Sequence, residues 1–170
     1  IENDTALVGL GEASKGAAKG YHIVVYITVS TGIGGAKIVD GNIAENAMGF
    51  EPGYQVIDYK HPKPFQDYVS GTALQARYKK HPSKITSLKI WDDTARILAV
   101  GLHNSLLHWS PDIMIVGGSM VLKRPGISLR RVRIHLKKTL PFSRMPIIKQ
   151  AALGDLGGLY GALVLARKHV

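Results

Sequence analysis

Residues 25–41, VYITVSTGIGGAKIVDG, decide how the rest of the chain is to be read. A mostly β-branched run meets Ser30-Thr31-Gly32-Ile33-Gly34-Gly35, a second apolar run follows, and Asp40-Gly41-Asn42 has the composition of a tight hairpin turn. Strands are therefore expected over 22–30 and 35–39. The glycines do not match the dinucleotide fingerprint, because a third glycine at the required spacing is missing and a strand rather than a helix follows; nor do they match Walker A. Two readings stand at this point. The glycines either only turn the chain, or they let main-chain N–H groups and the Thr31 hydroxyl approach an anion without Cβ clashes.

Outward from this stretch, residues 4–19 read as a helix. Asn3 or Asp4 can cap it, Ala13, Ala17 and Ala18 suit close packing, and Gly20 stops it. Asp4 has a second reading as a general base that takes a proton from a substrate hydroxyl, with Asn3 hydrogen-bonding a neighbouring hydroxyl. Residues 48–64 are rich in Gly, Pro and polar side chains without a clean period, which predicts a surface loop with a short strand near Val56-Ile57. Helices are expected over 65–78 and from Lys89 or Trp91 to Trp109, ended by Pro111-Asp112. Ile113 to Val116 lacks alternation and reads as a buried parallel strand. Gly117-Gly118 then either leaves the strand or marks the carboxyl edge where an α/β sheet meets a ligand. A basic helix, a short strand from Pro146 to Lys149 and a helix from Leu156 to Arg167, entered through Gly154-Asp155, complete the order. The fold class this implies is α/β, a mixed sheet with helices on both faces.

The chain has 170 residues, enough for a single domain with a core of its own. It has no cysteine, which excludes disulfides, thiolate zinc sites and a cysteine nucleophile. No apolar stretch approaches the ~20 residues of a membrane span and no signal peptide opens the chain, so a soluble, cytoplasmic protein without a membrane partner is expected. The net charge is +10, and much of it sits in Arg130, Arg131, Arg133, Lys137 and Lys138. Leu129, Val132, Leu136 and Leu140 fall at helical spacing among these cations, which gives an amphipathic helix with a basic solvated face. No aromatic residues interleave with the cations, so nucleic acid is not the expected partner. His103, His108 and His135 lie at no metal-ligand spacing, and no metal site is expected. The first residue is Ile1 rather than methionine, so further sequence upstream is expected.

Taken together, these pieces resemble the ROK group (repressors, open reading frames and sugar kinases) of the actin-like ATPase superfamily. Glu2-Asn3-Asp4 with Leu10-Gly11-Glu12 resembles the family's Asn-Asp and the helix after it. Val29 to Gly35 with Asp40-Gly41 resembles its second phosphate motif. Phe50-Glu51-Pro52-Gly53 is similar to its sugar loop, Tyr68-Val69-Ser70-Gly71 to the next helix, and Asp112 to Gly118 to its nucleotide strand. Leu153-Gly154-Asp155 with Gly158 to Ala162 is similar to its last helix.

The resemblance implies one ribonuclease H-like or actin-like lobe, residues 1–170 forming the C-terminal lobe of a two-lobe, ATP-dependent hexose kinase. Asp4 would be the catalytic base. Asn3 and Glu51 would hold sugar hydroxyls, with Tyr54 and Gln66 beside them, and Thr31, Gly32, Gly34, Gly117 and Gly118 would line phosphates and adenosine. ATP and Mg²⁺ are the implied cofactors, and a homodimer is a possible assembly. The family's first phosphate motif, Asp-x-Gly-x-Thr, is absent, so the lobe alone is expected to be inactive. Tyr54 replaces the sugar-loop histidine, Gln66 stands where a glutamate is expected, and the cysteine-rich zinc segment is reduced to 60–64, so no zinc is expected. The same resemblance admits a sugar-sensing transcriptional regulator, or a degenerate homologue that binds without catalysis.

Overall fold

The computed structural model describes residues 2–141 and 147–168. The elements run α1 (Asp4–Ser14), β1 (Ile23–Val29), β2 (Ile33–Val39), β3 (Asn42–Ile43), α2 (Gln66–Val69), α3 (Gly71–Tyr78) and α4 (Leu88–Trp109). They continue with β4 (Ile113–Gly117), α5 (Ser119–Leu122), α6 (Leu129–Leu136), β5 (Ile147–Gln150) and α7 (Gly157–Lys168). Short 3₁₀ turns at Pro52–Tyr54, Pro82–Lys84 and Gly154–Leu156 join them.

The five strands form a mixed sheet in the order β3-β2-β1-β4-β5. β1 pairs antiparallel with β2, Val29 opposite Ile33, and parallel with β4, Thr28 opposite Gly117. β5 extends the parallel half. Strands β1 and β4 are buried on both faces, which is why Ile113–Gly117 shows no polar alternation. On one face α1 and α7 enclose a core of Leu10, Val24, Tyr26, Ile38, Ile113 and Ile115. On the other, α2 to α6 pack over Val25, Ile27, Met114, Val116 and the inner side of α4. Each fully buried Ile, Val or Leu side chain contributes about 1.5–3 kcal/mol relative to an exposed one.

The expected mixed sheet with helices on both faces is what forms, and several boundaries differ. The first helix ends at Ser14 rather than 19, because Ala17 N–H donates to the Glu12 carboxylate instead of continuing the helical ladder. The second strand begins at Ile33, so its first glycine is inside the ladder. The helix expected over 65–78 breaks at Ser70, whose backbone is extended and whose hydroxyl caps α3 by accepting from Ala73 N–H. The strand near Val56 is a single bridge to Pro64. The basic helix stops at Leu136, and Leu140 packs against the core beyond its end. The last strand runs Ile147–Gln150, while Pro146 and Ile1 lie outside the described residues. Among the described residues no helix is long and apolar enough to cross a membrane.

Candidate functional site

The loop Ser30-Thr31-Gly32 leaves the C-terminal end of β1 and turns into β2, with Ser30 N–H donating to the Gly32 carbonyl at 2.9 Å. A cleft of about 430 Å³ opens between this turn and the start of α1. Asp4, Thr5, Tyr26, Thr28, Thr31, Gly32 and Gly34 line it. The approach is close: a Cβ on Gly34 would stand 2.8 Å from Thr5 Oγ1 and 3.4 Å from Thr28 Cγ2. A larger residue at 34 would force the Thr5 side chain to shift.

At the head of α1 the capping duty falls on Asn3. Its Oδ1 accepts from Thr5 N–H at 2.8 Å and Ala6 N–H at 3.3 Å. Asp4, exposed in the first turn, accepts from Thr5 N–H and the Thr5 hydroxyl through Oδ1 alone, which leaves Oδ2 without a donor among the described residues. Tyr26 is buried beneath the cleft, and that burial pushes its phenol above the ordinary value, so it stays a neutral hydroxyl at physiological pH.

A second, smaller cavity of about 200 Å³ shares the Ser30-Thr31 wall and is otherwise built from Gly71, Thr72, Gln75, Pro82, Ser119 and Lys123. One turn thus faces both cavities. Ser30 and Ser119 hydroxyls meet at 3.0 Å, and Gly71 N–H donates to the Ser30 carbonyl at 2.7 Å. Gly117 and Gly118 line neither cavity. Their part is to bring the chain past β1: Gly118 sits at φ 85°, and a Cβ there would lie 2.3 Å from the Val29 carbonyl oxygen. That passage delivers Ser119 to the rim.

The remaining candidates are placed apart. Glu51 lines a separate cavity of about 360 Å³ with Gly49, Phe50, Gln55, Asn104 and Trp109. Phe50 bridges Gly35 and meets Trp109 edge to face, ring centres 5.2 Å apart. Tyr54 is 63% exposed and lines none of these cavities. Gln66 braces the turn: its Oε1 accepts from Ile33 N–H at 3.3 Å and lies 3.0 Å from where a Cβ of Gly32 would be. The asparagine, aspartate and turn residues 31, 32 and 34 are therefore neighbours at one cleft or its edge, while Glu51 and Tyr54 are not part of it.

Residues the sequence reading left out are Thr5, Tyr26, Thr28 and Ser119. The first three follow from strand and helix periodicity only once the register is known. Ser119 carried a local signal, since it follows a glycine pair at a strand's carboxyl end. Among the described residues no group of three or more His, Cys, Asp and Glu side chains is arranged to hold a metal ion.

Chemically, the cleft offers one carboxylate with an unengaged oxygen, several hydroxyls and a glycine turn with little side-chain cover. Such a surface suits an anion held by main-chain and hydroxyl donors beside a proton acceptor.

The chain is 28% identical to a glucokinase of Pyrobaculum calidifontis, over 87% of its own length and 59% of the relative's. It is 29% identical to the xylose repressor of Bacillus subtilis, over 75% of its own length and 39% of the repressor's. The chain spans between 54% and 62% of the length of the first curated relatives it matches. In fold it resembles a ROK family glucokinase from Streptomyces griseus, solved in complex with glucose and AMPPNP, with a TM-score of 0.77 at 23% identity; the alignment covers 99% of this chain and 68% of that one. The family model for the ROK family matches residues 1–169, from the Asn-Asp that opens the cleft to the helix that closes the fold, and by that match the chain belongs to the ROK family.

Proposed function

We propose that this chain is the C-terminal lobe of an ATP-dependent sugar kinase, and that the Asp4 cleft is where its phosphoryl transfer takes place. The observation that carries the reading is the single turn Ser30-Thr31-Gly32, shared by a cleft holding a carboxylate and by a second cavity lined with Ser119 and Thr72. A molecule long enough to place a phosphate at the turn and a base in the second cavity would bring its terminal phosphate toward Asp4.

In this reading Asp4 Oδ2 accepts the proton of a sugar hydroxyl as that oxygen attacks the γ-phosphorus. The bond from phosphorus to the β–γ bridging oxygen breaks, and ADP leaves with the electron pair. Thr31 and the N–H groups of the glycine turn hold the phosphates, and Asn3, at the edge of the cleft, donates from its amide nitrogen to a second hydroxyl. Asp4 is the one carboxylate lining the cleft and serves here as the base, so Mg²⁺ would be held on phosphate oxygens with hydroxyls such as Thr31 beside them. When bound, the ion neutralises charge on the phosphates.

The relatives include a repressor as well as kinases, so a sugar-sensing regulator is the second reading. Calorimetry of the complete open reading frame with Mg–AMPPNP and a panel of hexoses separates them. The kinase reading expects both to bind and Thr31→Val to weaken the nucleotide alone. Hexose binding without nucleotide binding favours the regulator, and nucleotide binding without hexose binding favours a non-catalytic homologue.

A further inference from the structure

A cavity of about 710 Å³ lies between the start of α4 and the segment joining α5 to α6. Its apolar wall is Leu88, Trp91 and Pro125, and its cations are Lys89, Arg124 and Arg131, against the single carboxylate of Asp92. That carboxylate is already engaged. Arg131 donates to it from Nε and Nη2 at 2.5 and 2.8 Å, and His135 Nε2 lies 3.1 Å away. Lys89 and Arg124 have no acidic partner within ion-pair distance among the described residues.

The apolar wall is equally committed to being apolar. Trp91 Nε1 donates to the Ile85 carbonyl at 2.8 Å, so the indole turns no polar atom toward the cavity that lacks a partner. Leu88 is 84% exposed at the first position of its helix, where any polar residue would serve as well. The volume is that of a pocket for a small organic molecule. An apolar wall with two uncompensated cations at its rim complements a ring carrying a negative group.

We propose that this cavity binds a small amphipathic anion, a flat ring body bearing one sulfonate, carboxylate or phosphate group. The ring lies against Leu88, Trp91 and Pro125, and the anionic head lies between Lys89 and Arg124. The site is separate from the Asp4 cleft and does not depend on the kinase reading, although Arg124 and Pro125 also line the cavity that holds Ser119.

The test uses the chain as it is, with 8-anilinonaphthalene-1-sulfonate as probe and N-phenyl-1-naphthylamine, the same rings without the sulfonate, as control. Fluorescence titration is expected to show saturable binding of one sulfonate probe per chain, with the neutral analogue binding about tenfold more weakly. Leu88→Asp and Lys89→Glu place acidic residues in a helix's first turn, which the helix dipole favours, so the fold is retained and its melt is the control. Each is expected to weaken the sulfonate about tenfold or more. Absence of saturable binding, equal affinity of the neutral analogue, or binding unchanged in both variants would overturn the proposal. Two variants at separate positions keep the proposal testable if one of them fails to fold.

Discussion

Asn3 and Asp4 divide the start of α1 between them, and the division makes a clean experiment possible. Because Asn3 holds the cap, Asp4 is not needed to start the helix. Asp4→Asn in the complete protein is expected to lower kcat by on the order of 10²–10⁴ while the melting temperature stays within a few degrees. Steady-state kinetics and a thermal melt check the two halves; full activity in the variant removes Asp4 from the mechanism. Glu12 presents the opposite case. It is fully buried, and its carboxylate accepts N–H groups of Ala17, Ala152 and Leu153 at 2.8–2.9 Å. Glu12→Ala strands those donors and is expected to cost on the order of 3 kcal/mol or more, measured by urea unfolding of the chain. Along the sequence Glu12 stood in the stretch that resembles the family's helix after Asn-Asp, with no role of its own. Nothing local announces partners 140 and 141 positions away, and that is why single residues of this kind escape a reading by period.

Between elements, Asp92 ties α4 to α6. The Arg131 guanidinium, then the His135 imidazole, hold its carboxyl well below the usual carboxylate range. A carboxyl depressed on folding stabilises the native state fully above its unfolded pKa of about 3.9, and the contribution is lost as pH falls below that toward the folded value. Asp92→Asn is therefore expected to lower the melting temperature by a few degrees at pH 7, and the gap to the parent should narrow steadily below about pH 4. A gap that does not change with pH would show that the pair holds no charge-dependent stability. Elements defined by their own chemistry were legible in the sequence. Asp40-Gly41, both at positive φ, makes the hairpin turn its composition announced, and the continuous apolar run at 113–116 is the buried strand. Elements defined by distant contacts were not. The segment 65–78 has helical composition throughout, yet Gly71 N–H is drawn to the Ser30 carbonyl, and that contact outweighs one more helical turn. The same limit held for the site. Asp4 and the turn at 31–34 were legible as candidates, whereas Glu51 was placed beside them by resemblance and lies in a different cavity.

At the scale of the molecule, β1 is the middle of the sheet, and the two glycine passages leave from its end and from the adjoining end of β4. Val24 to Thr28 pair on one side with β2 and on the other with β4, whose partner residues lie 89 positions further along the chain. Amides of Ile27 and Ile115 are expected to exchange with solvent only through global unfolding, with protection matching the stability from denaturant titration, while those of β3 and the loop at 48–64 exchange through local opening. Hydrogen exchange by NMR checks this, and faster exchange at Ile27 than at Ile43 would contradict it. The arrangement at the end of β1 also has a mechanical meaning. Thr31 and Ser119 follow the ends of the paired strands β1 and β4, and the Ser30 and Ser119 hydroxyls meet directly, so the sheet sets the span between them. Geometrically this is a caliper: a molecule seated against one jaw touches the other only if it is long enough to reach it.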